Sequence, residues 1–92
     1  MTQPLRFGIC TDQNMSWVET VSRWRDLEEL GFDSIWVCDH LIQPSRPEGP
    51  YFEGSTLLAG LAAVTERARI GVLVWSNTFR HPAVLALSLI HI

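Results

Sequence analysis

The chain has 92 residues, 47% of them hydrophobic and 18% charged, with a formal net charge of −3. This is the composition of one small globular unit, and it carries no basic stripe of the kind a nucleic-acid footprint needs. No run approaches the ~18 apolar residues of a membrane span, and the amino-terminal stretch lacks the basic-then-apolar order of a secretory signal. A cytoplasmic location is the default expectation. Cys10 and Cys38 are too few for a disulfide framework. Each ends an apolar run, so each reads as a small buried hydrophobe.

The first predicted strand is Phe7 to Cys10, followed by the polar loop Thr11-Asp12-Gln13-Asn14. Ser16 opens a helix, with Glu19 at the capping-box spacing. Trp17, Val21, Trp24, Leu27 or Glu28, and Leu30 follow at helical spacing and read as its buried stripe. Gly31 ends the helix, because glycine takes the left-handed cap without strain. The second strand, Asp33 to Cys38, is apolar nearly throughout and reads as buried on both faces. It runs directly into Asp39-His40. A loop rich in breakers follows (Pro44, Pro47, Gly49, Pro50), about a dozen residues long, and loops of this length are often functional.

Gly54 or Ser55 starts the second helix, built on Leu57, Leu58, Leu61, Ala62 and Val64. Its small residues, Ala59, Gly60, Ala62 and Ala63, permit close approach of a neighbour. Arg67 and Arg69 read as a solvated edge. Ile70 to Trp75 reads as a third buried strand, followed by the polar loop Ser76-Asn77-Thr78. Arg80, His81 and Pro82 open the third helix, with Pro82 suited to its first position and His81 to its cap.

Three βα units in succession require a parallel sheet, and right-handed crossovers bring the three carboxyl ends to one rim. Binding and chemistry concentrate on that rim in parallel α/β folds. It collects Thr11, Asp12, Asp39, His40, Ser76 and Asn77. No glycine-rich phosphate loop follows the first strand, which argues against a dinucleotide-binding fold.

Three stretches carry a family resemblance. They are Phe7-Gly8-Ile9, then Glu29 to Val37 with Asp39-His40-Leu41, then Ile70 to Val74 with Phe79 to Ala86. In this order they resemble the luciferase-like monooxygenases, and most nearly the flavin- or deazaflavin-dependent oxidoreductases among them. The resemblance implies an α/β fold, a (β/α)8 TIM barrel, of which residues 1–86 would supply the first three βα units as a truncated piece. Such barrels run to ~250 residues. Residues 87–92 lack a helix-ending signal and depart from the pattern of relatives, so they read as a non-native or truncated tail.

The resemblance also implies site roles. His40 is the catalytic residue, facing the reactive ring atom of the cofactor as proton donor or acceptor. Asp39, Leu73, Val74 and Ser76 contact that cofactor, and the Leu73–Val74 peptide is expected to be cis. Asp12 and Trp75 are substrate-pocket candidates, Trp75 because relatives often carry a smaller or polar residue there. The implied cofactor is coenzyme F420 with hydride transfer, or reduced FMN with monooxygenation. The implied partner is a small-molecule substrate, and the parent protein is expected to be a homo-oligomer.

Two other readings compete. Asp39, His40 and Asp12 offer oxygen and nitrogen ligands for a metal-dependent barrel hydrolase, although the third strand ends in Ser76-Asn77 with no ligand to add. The other reading is a segment with no activity of its own, since three strands leave open sheet edges.

Overall fold

The computed structural model describes residues 2–92. The elements run β1 (Gly8–Cys10), α1 (Trp17–Glu29), β2 (Ser34–Val37), α2 (Gly54–Val64), β3 (Arg69–Val72) and α3 (Pro82–His91). The strands form one parallel sheet in the order β1-β2-β3, with Cys10 opposite Trp36 and Trp36 opposite Gly71. This α/β arrangement is compatible with part of a (β/α)8 barrel.

Helix α1 begins where its capping chemistry directs. The Ser16 hydroxyl accepts from the Glu19 N–H at 3.3 Å, and the Glu19 carboxylate accepts from the Ser16 N–H at 2.9 Å. The Ser16 hydroxyl also donates to the Glu19 carboxylate at 2.7 Å, and this bond and the Ser16 N–H favour the charged carboxylate and hold its pKa below the usual value. The helix ends at Gly31, whose φ of +93° lies in the left-handed region.

The buried stripe of α1 is Thr20, Trp24 and Leu27. This corrects the sequence reading, which placed Trp17 and Leu30 in the core. Leu30 is 74% exposed. Trp17 lies at the edge of the stripe, where its ring meets Phe52 edge-on at 6.4 Å and covers Gly60 of α2. A side chain at Gly60 would come within 2.9 Å of the Trp17 ring, so the small residue permits this crossing. Glu28 and Arg67 latch the far end. The Glu28 carboxylate accepts the N–H groups of Glu66, Arg67 and Ala68, while the Arg67 guanidinium donates to the carbonyls of Glu28 and Phe32.

Trp24, Leu27, Ile35, Val37, Leu57, Leu58, Leu61, Ala68 and Val72 form the core between the sheet and its covering helices. Trp24 also donates its indole N–H to the Thr65 hydroxyl at 2.8 Å, satisfying its buried polar edge.

The other face of the sheet is not packed in the same way. β2 alternates, with Ile35 and Val37 buried and Ser34 and Trp36 half-buried, so it is not buried on both faces as expected. Cys10 is exposed and Cys38 intermediate, which corrects their reading as buried hydrophobes. The Trp36 ring lies over two glycines. An added Cβ would sit 2.5 Å from the ring at Gly71, and 3.0 Å from its Nε1 at Gly8. A third correction concerns β3, which ends at Val72 instead of reaching Trp75. The Leu73 N–H still bonds the Val37 carbonyl at 2.8 Å, and then the chain turns. Residues 87–91 continue α3, whose buried residue is Leu85.

Gly71→Ala is therefore expected to destabilise the full-length protein by about 1–3 kcal/mol, since the added methyl would sit 2.5 Å from the Trp36 ring. A lowered urea midpoint with an unchanged slope is the expected readout.

Candidate active site

The parallel topology sets the segments after β1, β2 and β3 side by side, and their side chains decide the site. Asp39 follows β2 and its side chain is fully buried. Burial of a carboxylate is costly unless it is paired and hydrogen-bonded. Arg80 supplies the pairing as a two-pronged fork, with Nη1 at 2.7 Å from Oδ2 and Nη2 at 2.7 Å from Oδ1. The Ser76 N–H donates to the same Oδ2 at 2.7 Å. Arg80 lowers the Asp39 pKa most strongly, against a smaller upward push from burial.

The same guanidinium reaches Glu53 at 2.6 Å and donates to the Ser76 carbonyl at 3.3 Å. Its carbon also lies 5.2 Å from the Trp75 ring centroid and 5.9 Å from that of Phe79, within cation–π range. Hydrogen bonding to Asp39 leads the causes that raise the Arg80 pKa above its ordinary value.

Glu53 has a second duty as the N-cap of α2. Its carboxylate accepts the N–H groups of Ser55 and Thr56 at 3.1 and 2.8 Å, and the Ser55 hydroxyl at 2.6 Å. Burial pushes its pKa upward, but the Ser55 and Thr56 hydrogen bonds outweigh that and bring it down to about 2. Gly54 completes the joint: a Cβ there would lie 2.7 Å from the Asp39 carboxylate, so only glycine lets α2 begin against it.

Gln13 braces the rim from the other side. It is 2% exposed, its Oε1 accepts the Cys38 N–H, and its Nε2 donates to the Phe52 carbonyl at 3.3 Å. It ties the loop after β1 to the end of β2 and to the loop before α2.

The sequence-predicted residues divide accordingly. Asp39 and Ser76 come together through the Ser76 N–H, while the Ser76 hydroxyl lies 2.9 Å from that of Thr78. His40 is exposed beside the anchored Asp39. Leu73 and Val74 are 48% and 71% exposed, and the peptide between them is cis. Trp75 is half-buried beneath Arg80. Asp12 is exposed and turns back to accept the Asn14 N–H at 3.0 Å. His81 caps α3 as expected, its Nδ1 accepting from the Ala83 N–H at 3.1 Å.

Sequence reasoning misses Glu53 and Gln13. It gives Arg80 to the start of α3, with contact to an anion as the lesser alternative, and it does not name the anion. The neighbouring Phe79 and Pro82 give no sign of a partner 41 residues earlier. Glu53 had a local signal, an acidic residue ahead of Ser55-Thr56 and an apolar run, which is N-cap chemistry. Gln13 had none.

Among the described residues, no group of three or more His, Cys, Asp or Glu is arranged to hold a metal ion. Asp39, the best-placed ligand candidate, is committed to Arg80 and Ser76. A metal-hydrolase centre is not favoured. Nor is any described helix long and apolar enough to cross a membrane.

The family model for luciferase-like monooxygenases matches residues 3–91. The chain belongs to this family. Among curated proteins, it is 40% identical over 89 residues to an F420-dependent glucose-6-phosphate dehydrogenase of Microbacterium testaceum, covering 94% of this chain and 26% of that protein. Identity is 46% over 63 residues to a protein of the same name from Amycolatopsis mediterranei, covering 64% of this chain and 18% of the relative. For the one from Nakamurella multipartita it is 36% over 86 residues, covering 90% and 25%. The chain thus spans about a quarter or less of the length of these luciferase-like relatives.

Two outcomes follow for the anchored carboxylates. Asp39→Ala in the full-length protein is expected to lower stability by about 3–5 kcal/mol, because it leaves a largely buried guanidinium short of its main partner. Urea denaturation checks this, and Arg80→Lys should fall between wild type and Asp39→Ala, since lysine keeps the charge but loses the fork.

Acid should act through the same groups. Glu53 and Asp39 have folded-state pKa values below their ordinary ones. Their stabilisation is therefore complete above the unfolded carboxylate values and is lost as pH falls through the folded ones. The window for Glu53 runs from its ordinary 4.5 down to about 2. Urea midpoints measured across that range should fall less steeply in Glu53→Gln than in wild type.

Proposed function

We propose that the whole protein is an F420-dependent oxidoreductase on a (β/α)8 barrel, and that the rim described above forms one wall of its cofactor site. The observation that carries this reading is the alignment of 89 residues, containing every rim residue named above, with a relative named as F420-dependent. The shape of the rim supports it. Leu73 and Val74 present an exposed apolar shelf one step beyond the Val37–Val72 pair, and a flat ring system fits such a shelf. His40 is exposed on the neighbouring strand end, where its imidazole is open to a bound molecule.

Coenzyme F420, when bound, supplies hydride acceptance and donation. The chain's own residues do the rest. Leu73 and Val74 would hold the ring system, and the Ser76 hydroxyl would be available to it as a hydrogen-bond donor. His40 takes the proton that an alcohol substrate releases as its C–H hydride leaves, and returns a proton in the reverse direction. Asp39 is a positioning residue. Its carboxylate is held by Arg80 and the Ser76 N–H, so it fixes the backbone that presents His40. Trp75 and Asp12 border the substrate side. The substrate class we propose is a small hydroxylated molecule, with glucose 6-phosphate the first to test because the relatives bear its name.

The test is a titration of the full-length protein with F420 and with FMN, followed by turnover read from loss of F420 absorbance. F420 should bind and turn over, FMN should bind weakly, and a chelator should leave the rate unchanged. His40→Asn should bind F420 as wild type does while kcat falls by about 10²–10⁴. Tight FMN binding without F420 turnover would overturn the proposal.

A further inference from the structure

We propose that Cys10 and Cys38 form a reversible redox site, a thiol pair that a hydroperoxide closes into a disulfide between the ends of β1 and β2. The reading is independent of the catalytic one, which uses neither sulfur. The two Sγ atoms lie 3.7 Å apart, in thiol–thiol hydrogen-bond contact. The register sets Cys10 opposite Trp36, which places Cys38 two residues further along and on the same face of the sheet.

The backbone around the pair is held from both sides. The Thr11 N–H donates to the Trp36 carbonyl at 2.9 Å, and the Cys38 N–H donates to Gln13. The sulfurs therefore meet across a diagonal of the sheet, and closing the gap to a bond of about 2.05 Å asks for side-chain rotation together with an approach of the two strand ends. Cys10 is exposed and Cys38 is not, so an oxidant meets Cys10 first. Burial and the Cys10 hydrogen bond push the Cys38 thiol up to about 11, so the second step is slow near neutral pH and speeds up as pH rises.

The steps balance with a hydroperoxide as oxidant. The Cys10 sulfur attacks the peroxide oxygen; an S–O bond forms, the O–O bond breaks, and the leaving oxygen departs with a proton as an alcohol, or as water from hydrogen peroxide. The Cys38 sulfur then attacks the Cys10 sulfur. The S–S bond forms, the S–O bond breaks, and hydroxide leaves with the Cys38 proton as water. Two thiols lose two electrons and the peroxide gains them. An external dithiol reverses the change.

The test treats the full-length protein with hydrogen peroxide, blocks remaining thiols with iodoacetamide, and maps tryptic fragments by mass. Cleavage after Arg6, Arg23, Arg25 and Arg67, with Arg46 protected by Pro47, puts Cys10 in Phe7–Arg23 and Cys38 in Asp26–Arg67. The expected result is joint loss of alkylation at both cysteines, a cross-linked pair of these fragments, and joint recovery with dithiothreitol. In Cys38→Ser, Cys10 should instead be trapped as a sulfenic acid by dimedone. In Cys10→Ser, Cys38 should stay alkylatable at the same dose. Three results would overturn the proposal: both cysteines stay fully alkylatable in wild type, Cys10 oxidises without a cross-link, or mixed light and heavy protein shows the link only between separate molecules.

Discussion

The Asp39–Arg80 pair is the joint on which the rim of this fold depends. A carboxylate at the end of a buried strand demands a cation, and a long side chain from the start of α3 supplies it in bidentate form. The fork brings in Glu53 as a second anion and the Ser76 carbonyl as a further acceptor. Three separate segments thereby meet at one planar group. Charge alone would not hold this geometry. Gly54 leaves the space the carboxylate occupies, and Trp75 and Phe79 flank the guanidinium.

This economy separates neighbours with similar chemistry. Asp39 and His40 are adjacent in sequence, yet one is buried and fully bonded while the other is exposed. The alternation of side chains at a strand end accounts for the split. The acidic residue is bound into the joint, and the imidazole beside it is left exposed. The proposed thiol pair follows the same pattern one step back, where Cys10 and Cys38 share the open face of the sheet.

Local signals in the sequence carried most of the fold. The capping box at Ser16, the left-handed cap at Gly31, the Pro82 start of α3 and the parallel order of strands are all set by nearby residues or by connection rules, and they appear as read. The errors arose where a side chain's surroundings lie far away in sequence. Trp17 and Leu30 share the helical period of Trp24, but periodicity does not say how wide the covering helix is. The β3 boundary failed for a similar reason, since the apolar run from Val72 to Trp75 does not reveal where pairing stops. The family pattern names Asp39, His40, Leu73, Val74 and Ser76, and the structure joins the first of these to the last. The pairing of Arg80 with Asp39 and Glu53, and the brace from Gln13 to Cys38, were not legible, because these partners lie 25 to 41 residues apart.

The loop from His40 to Phe52 leaves from Asp39 and returns at Glu53, and both of these residues hold the same guanidinium. Its two feet are fastened to one post. A chain closed into a ring in this way can lengthen or shorten at modest entropic cost, and without pulling on the sheet beneath it. Residues 41–49 can thus change in sequence while β2, α2 and the floor of the rim keep their places, whereas Pro50 and Phe52 are held by Asn14 and Gln13.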